Sequence, residues 1–263
     1  MRVLVLQVRI GNSDLSALKG KGYDVWQNFE KKICMPSVKL WSDKNGYDYK
    51  LVTNSSIKDF NFFPTDNHRY AAERLMHFNF KDYDYLIYID TDIFIMKSAS
   101  KFNLIPGLSI AKENNGTIDE TKWMIGRYTK YLKHFRKAYY NSGVLSMDRK
   151  TGLSIHDFFI DKLHKGDNTD IEFADQDVIN QWIVKNGCNV LEQKWNYFAR
   201  NHLNASYIDK NFYEKNYKHI LNTDSSKMNQ SYFIHFIGES KFFCRDIFKK
   251  IKHNNTDGKE NII

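Results

Sequence analysis

Two carboxylates, Asp90 and Asp92, stand one residue apart at the end of the apolar run Tyr85-Leu86-Ile87-Tyr88-Ile89, and a second apolar run begins at Ile93. The β-branched and aromatic residues read as a buried strand, and Asp90-Thr91-Asp92 as a short acidic turn at its end. Carboxylates are costly to bury alone, so such a pair calls for a cation, a set of donors or a polar cleft. A divalent metal is the first expectation, because hard cations take oxygen ligands and an added imidazole shifts the preference from Ca²⁺ towards Mn²⁺. His235 is the candidate imidazole, set against the plainer reading of a structural histidine satisfied by its neighbours. Three residues on, Gly238 lets backbone approach a ligand closely, and Lys241 adds an ammonium suited to a phosphate oxygen. Cation, glycine turn and lysine together describe a pyrophosphate site.

These residues need a scaffold, and the pattern supplies one. Strands are expected over Arg2–Arg9, Tyr47–Val52, Tyr85–Ile89 and Ile93–Met96, with helices over Val25–Cys34, Ser37–Lys44 and Asn67–Phe78 between them. Pro36 suits a first helical turn, Asn45-Gly46 a stop, and Thr65 or Asp66 a cap. The helix from Asn67 is expected to bring Arg69, Arg74 and His77 near the acidic turn. Strands alternating with helices imply an α/β fold with a largely parallel, Rossmann-like sheet flanked by helices, and ligands in such sheets sit at the carboxyl ends of the strands. Beyond residue 100 the pattern loosens. Lys122–Tyr140 interleaves basic and aromatic residues, and reads either as an amphipathic helix or as part of an acceptor or anion cleft. Asn141-Ser142-Gly143 precedes a short strand over Val144–Met147, helices follow over Ile155–Leu163 and Phe173–Lys185, and extended segments over Cys188–Leu191 and Tyr232–Phe236.

Composition bounds the possibilities. The 263 residues suit one domain, expected over 1–248, with a polar, basic tail over 249–263. Aromatics at 15% exclude a disordered chain. A formal charge of +8 favours an anionic partner without choosing among nucleic acid, membrane surface and phosphorylated small molecule. Cys34, Cys188 and Cys244 have no metal-ligand spacing and read as free thiols of a reducing compartment. Met1–Leu6 is too short for a signal core and no stretch approaches the roughly 20 apolar residues of a spanning helix, so a soluble, cytoplasmic protein is expected. Lys249, Lys250 and Lys252 offer weak contact with a membrane surface, and equally the exposed face of an ordinary helix.

Taken in order, Asp90-Thr91-Asp92 after its strand, Asn141-Ser142-Gly143, Asp175-Gln176-Asp177, Trp195-Asn196 and His235-x-x-Gly238-x-x-Lys241 resemble the retaining GT-A glycosyltransferases of family 8, which include glycogenin and the bacterial lipopolysaccharide galactosyltransferases. The resemblance spans about residues 70–245. It implies a GT-A fold and a metal-dependent retaining transfer of a hexose from a nucleotide-diphosphate sugar, a UDP-sugar in the family, to a hydroxyl of a glycan, glycolipid or glycoprotein. It further implies that Asp90, Asp92 and His235 hold Mn²⁺ or Mg²⁺, and that Gly238 and Lys241 contact the diphosphate. Arg74, with Asp90, would reach the donor, Asn141, Gly143 and Asp175 would line the sugar pocket, and Asp175 and Gln176 would face the anomeric carbon. Phe242-Phe243 stands where the family often has Pro-Trp, and the resemblance assigns no base contacts within Gln7–Ile10. Two rival functions are weighed beside it. Nucleic-acid binding or processing is motivated by the charge, but no nucleic-acid motif or second metal cluster accompanies it. A non-catalytic nucleotide-sugar binder is disfavoured by the intact acidic, Asp-Gln and His-Gly-Lys sets.

Overall fold

The computed structural model describes residues 1–10, 21–57, 62–63, 65–113, 139–167, 174–203, 212–222 and 224–255. The loop expected over 11–14, most of the basic aromatic segment over 122–140 and residues 256–263 lie outside the described residues.

Strand β1 (Val3–Val8) leads into a helical run made of α1 (Lys21–Phe29), a π turn (Glu30–Cys34) and α2 (Met35–Asn45). Two separate helices were expected here, and Pro36 explains their fusion. Its ring has no N–H and crowds the carbonyl four residues back. The chain widens instead, Met35 N–H donating to Glu30 O five residues earlier. Ser37 Oγ donates to the Cys34 carbonyl at 2.6 Å and accepts from Ile95 N at 2.9 Å, so the turn is tied to a strand. Gly46 then ends α2 in the left-handed conformation, at φ 69°.

β2 (Asp48–Val52) and α3 (Asp66–Met76) follow, the latter capped by Thr65. Next come β3 (Tyr85–Ile89), β4 (Ile93–Ile95), β5 (Leu108–Lys112), β6 (Tyr140–Asp148), α4 (Arg149–Lys165) and α5 (Ala174–Asn186). The chain continues through β7 (Asn189–Leu191), β8 (Tyr197–Phe198), α6 (Phe212–Asn222), α7 (Ser226–Asn229), β9 (Phe233–His235) and α8 (Cys244–Asn255). The polar tail expected from Lys249 begins inside α8, where Ile251 is buried in the core.

Six strands form one sheet in the order β2-β1-β3-β6-β5-β7, and β4-β9-β8 form a second. β1 pairs in parallel with β2 and β3, and β5 with β7, whereas β6 runs antiparallel to β3 and β5. β3 is buried along Leu86–Ile89 and makes no use of alternation, as a central strand covered on both faces requires. One core layer holds Leu6, Leu86, Tyr88 and Phe159, and another Val5, Ile87, Ile89 and Trp195. Each such fully buried side chain contributes about 1.5–3 kcal/mol relative to exposure. Among the described residues no helix is long and apolar enough to cross a membrane.

Candidate active site

Strand register assembles the site. Ile89 lies opposite Val144, so the amino end of the antiparallel β6, with Asn141, Ser142 and Gly143, meets the carboxyl end of β3. Asp90 N donates to the Gly143 carbonyl at 2.8 Å, extending that pairing into the acidic turn. In the second sheet Ile93 lies opposite His235, which sets the imidazole beside the turn from a residue 145 positions further along the chain. The 3₁₀ turn Gly238–Phe243 follows β9 and carries Lys241 back to it.

The atoms then converge. His235 Nε2 lies 3.0 Å from Asp92 Oδ1 and 3.8 Å from Asp90 Oδ2, and Lys241 Nζ is 2.9 Å from Asp92 Oδ2. Arg74 Nη2 is 2.9 Å from Asp90 Oδ1, Arg74 Nη1 is 3.2 Å from Asp175 Oδ2, and the guanidinium stacks 4.3 Å over the Tyr88 ring. The Tyr88 hydroxyl donates to Asp90 Oδ1 at 2.7 Å. Burial pushes the Asp92 carboxyl up, but Lys241 and then His235 outweigh it and hold the group well below the usual range. For His235, burial disfavours the cation and Asp92 more than restores it, so its pKa is raised. Burial raises the Asp175 carboxyl to about 6, with Asp90 adding to the rise and Arg74 and Ser142 opposing it.

A chain of amides fixes the imidazole. Asn141 Nδ2 donates to Glu113 Oε2 and Gln176 Oε1, while Asn141 Oδ1 accepts from Gly143 N and Asn196 Nδ2. With its nitrogen so committed, Asn196 presents Oδ1 to His235 Nδ1 at 3.0 Å, which places the imidazole proton on Nδ1 and aims Nε2 at the carboxylates. Gly143 completes the cradle: a Cβ there would stand 2.4 Å from His235 Cε1.

These groups fit a divalent metal. One donor atom from each of Asp90, Asp92 and His235 lies within 4.8 Å of the others. His235 Nε2 stands 3.0 Å from the buried Asp92 Oδ1, and among the described residues no well-aligned hydrogen bond reaches that oxygen. Adjacent donors of an octahedral ion at about 2.1 Å stand about 3 Å apart.

Of the residues singled out in the sequence, Arg74, Asp90, Asp92, Asn141, Gly143, Asp175, Gln176, His235 and Lys241 come together, and Gly238 opens the turn that carries Lys241. Arg69 and His77 do not. Arg69 pairs with Asp66 at 3.2 Å and His77 with Glu73 at 3.4 Å, because they lie off the face of α3 that Arg74 turns to the cleft. Asn141 and Gly143 are closed in by their partners and form a wall behind Gln176 and His235. Ser142 was passed over as a group in its own right; its hydroxyl donates to Asp175 Oδ2 at 2.8 Å and its N–H to Gln176 Oε1 at 3.1 Å. Glu30 was missed too. It is 1% exposed and bonded to Thr91 Oγ1 and Arg9 Nε, and its signal was an acid four residues from Trp26 on an apolar helical stripe.

The Asp90, Asp92, Arg74 and Lys241 side chains line a cleft of about 220 Å³ together with Val8, Arg9, Ile10, Glu30 and Tyr70. Similar architectures occur in the galactosyltransferase LgtC in complex with donor and acceptor sugar analogues, at a TM-score of 0.54 and 14% identity with 98% of each chain covered. A glycosyltransferase involved in glycosylation of the major capsid of PBCV-1 matches at 0.53 and 12% identity, over 96% of this chain and 100% of that one. The apo bifunctional glycosyltransferase WbbM matches at 0.54 and 12% identity, over 94% of this chain and 49% of its own. No curated protein sequence matches. The model of glycosyl transferase family 8 matches residues 25–245, a span that takes in the acidic turn, the Asp175-Gln176 pair and the His235-to-Lys241 loop. The chain therefore belongs to glycosyl transferase family 8 and is a retaining glycosyltransferase.

Proposed function

We propose that the enzyme moves a hexose from a UDP-sugar to a hydroxyl of a glycan, glycolipid or glycoprotein, with Mn²⁺, or Mg²⁺ as the second candidate, held by Asp90, Asp92 and His235. The observation that carries this reading is the meeting of Asp90 and Asp92 with Arg74 and Lys241 around one cleft at the carboxyl ends of β1 and β3, with the buried His235 beside both carboxylates. A bound divalent ion supplies Lewis-acid stabilisation of the charge that grows on the departing diphosphate. Lys241, on the turn opened by Gly238, adds a second positive charge to the same oxygens, and its ammonium is already oriented by Asp92. Arg74 holds Asp90 towards the donor and Asp175 towards the sugar. Gln176 and Asp175 face the anomeric carbon, backed by the wall of Asn141 and Gly143. A carboxamide is a poor nucleophile, and Gln176 Oε1 already accepts from Asn141 Nδ2 and Ser142 N. Gln176 therefore acts as a fixed polar group beside the sugar, and positive charge on the ring is stabilised with the help of the Asp175 carboxylate while the acceptor attacks from the leaving-group side.

We place the enzyme in the cytoplasm as a single catalytic domain, consistent with the free thiols of Cys34, Cys188 and Cys244. The test is a screen of nucleotide sugars for hydrolysis without acceptor. One UDP-hexose is expected to release UDP with Mn²⁺ and to stop doing so when the metal is chelated. Metal-independent release, or none from any UDP-sugar, overturns the assignment.

A further inference from the structure

Among the described residues, the three cations that line the cleft are used unequally. Arg74 commits Nη2 to Asp90, Nη1 to Asp175 and the Ser142 carbonyl, and Nε to the Ala71 carbonyl. Lys241 commits its ammonium to Asp92 and lies 5.2 Å over the Trp26 ring. Arg9 donates from Nε alone, to Glu30 Oε2 at 3.2 Å, and among the described residues its two terminal nitrogens meet no protein acceptor. Its backbone is fixed as well, Arg9 N donating to the Val52 carbonyl at 2.8 Å at the end of β1. The Arg9 side chain is 18% exposed and lines the cleft. A guanidinium pinned through Nε and open at both Nη atoms offers a planar pair of donors to oxygen acceptors.

The group that pins it also reaches the acidic turn. Glu30, with a side chain 2% exposed, accepts from Thr91 Oγ1 at 2.5 Å through its other oxygen, and Thr91 is the central residue of Asp90-Thr91-Asp92. The π turn forced by Pro36 begins at Glu30, and such local widenings occur often at functional positions. Neither Arg9 nor Glu30 has a part in the metal group or the wall behind the sugar.

We propose that Arg9 contacts an oxygen of the bound nucleotide, and that Glu30 is a positioning residue that holds Arg9 and ties it through Thr91 to the acidic turn. This rests on the donor reading given above. The acceptor is either a carbonyl of the base or an oxygen of the diphosphate, the two kinds of strong oxygen acceptor in such a ligand. The relay makes nucleotide binding and the geometry of the acidic turn depend on each other, since one carboxylate serves both.

Calorimetric titration with UDP, UMP and uridine in the presence of Mn²⁺ tests it, with thermal melting as a check on folding. Arg9→Met is expected to weaken UDP binding about tenfold, the usual cost of a hydrogen bond to a charged group. Glu30→Gln is expected to weaken it in the same direction and to raise the donor KM more than it lowers kcat. The double variant is expected to bind no worse than Arg9→Met alone, because the two residues act in series. A penalty that persists with uridine assigns the contact to the base, and one confined to UDP assigns it to the diphosphate. Thr91→Val, which keeps the shape of the turn, is expected to weaken Mn²⁺ binding measured by paramagnetic resonance without nucleotide. Should Glu30→Gln fail to fold, the Arg9 and Thr91 variants still decide the matter. Wild-type affinity for all three ligands in Arg9→Met overturns the contact, and additive losses in the double variant overturn the relay. Failure of the wild-type enzyme to bind either UDP or Mn²⁺ sinks the donor reading itself, and this proposal with it.

Discussion

Asp92 and Asp175 are both buried carboxylates of one site, yet their surroundings drive them in opposite directions. Asp92 faces Lys241 at 2.9 Å and His235 at 3.0 Å, and its acid form is strongly disfavoured. Among the described residues Asp175 faces one cation, Arg74, which it shares with Asp90, and burial prevails so that its pKa rises to about 6. The difference lies in how many positive charges each acid has to itself. On the proposed function, an acid held charged by an ammonium and an imidazole is prepared for a metal and a diphosphate. One that is incompletely compensated gains from positive charge appearing nearby, as it does on a sugar ring losing its leaving group. On that reading, similar burial yields an anion-handling side and a cation-handling side.

The comparison breaks most sharply at its charged end. Asp92→Asn removes a proposed metal ligand and leaves Lys241 without its carboxylate, so we expect donor hydrolysis to fall about a thousandfold, equivalent to several kcal/mol of charge stabilisation. Calorimetry with Mn²⁺ should show the loss directly, and an unchanged metal affinity would remove Asp92 from the ligand set. Arg74→Met strikes both sides at once, because Asp90 and Asp175 lose a shared cation in a place only 11% exposed. Breaking such a pair costs about 3 kcal/mol of stability, visible in urea unfolding, and activity should fall about a hundredfold. Gln176→Ala is milder. It deprives Asn141 Nδ2 and Ser142 N of an acceptor at 3.2 and 3.1 Å, and we expect a kcat loss of about tenfold with UDP affinity retained. Loss of UDP binding in that variant would move Gln176 from the sugar to the nucleotide.

Much of this site could be read before any coordinates, because its parts are short and chemically distinctive. Asp90-Thr91-Asp92 follows a strand of Leu, Ile and Tyr that has no reason to end in two acids except to use them. The sheet around it was legible from apolar runs, and β3 falls where expected, over Tyr85–Ile89. Other features depend on tertiary pairing. β5 is the five-residue Leu108–Lys112 after Pro106-Gly107, a signal too short to stand without its partners β6 and β7. β6 starts at Tyr140 rather than Val144 because β5 pairs with Tyr140 and Asn141 beyond a register shift. That earlier start puts Asn141, Ser142 and Gly143 on the strand and closes them into the wall. Gly143 also needs a bare Cα because of His235, far along the chain, which no local pattern could reveal. Arg69 and His77 were misplaced because proximity in a helix was taken for a shared face, whereas of these three Arg74 is the one that turns to the cleft.

The pH dependence of stability sharpens the comparison with the smallest effect. A carboxylate in the unfolded chain titrates near the ordinary value of about 3.9, whereas folded Asp175 is raised to about 6. Between those values the folded protein holds a proton that the unfolded chain has released, so stability falls as pH rises through the window and levels off above about 6. Asp175→Asn has nothing to titrate there. The stability of the wild-type protein relative to this variant should therefore decline from pH 4 to pH 6 by on the order of 2 kcal/mol, read from urea unfolding of both proteins at matched pH. Using the difference cancels the titration of every other acid that the substitution leaves undisturbed. A difference that stays flat over this range would mean that Arg74 at 3.2 Å prevails over burial and keeps the carboxylate charged. Asp175 would then be an acid of the same kind as Asp92, and the division of the site into an anion-handling and a cation-handling side would have to rest on Gln176 alone.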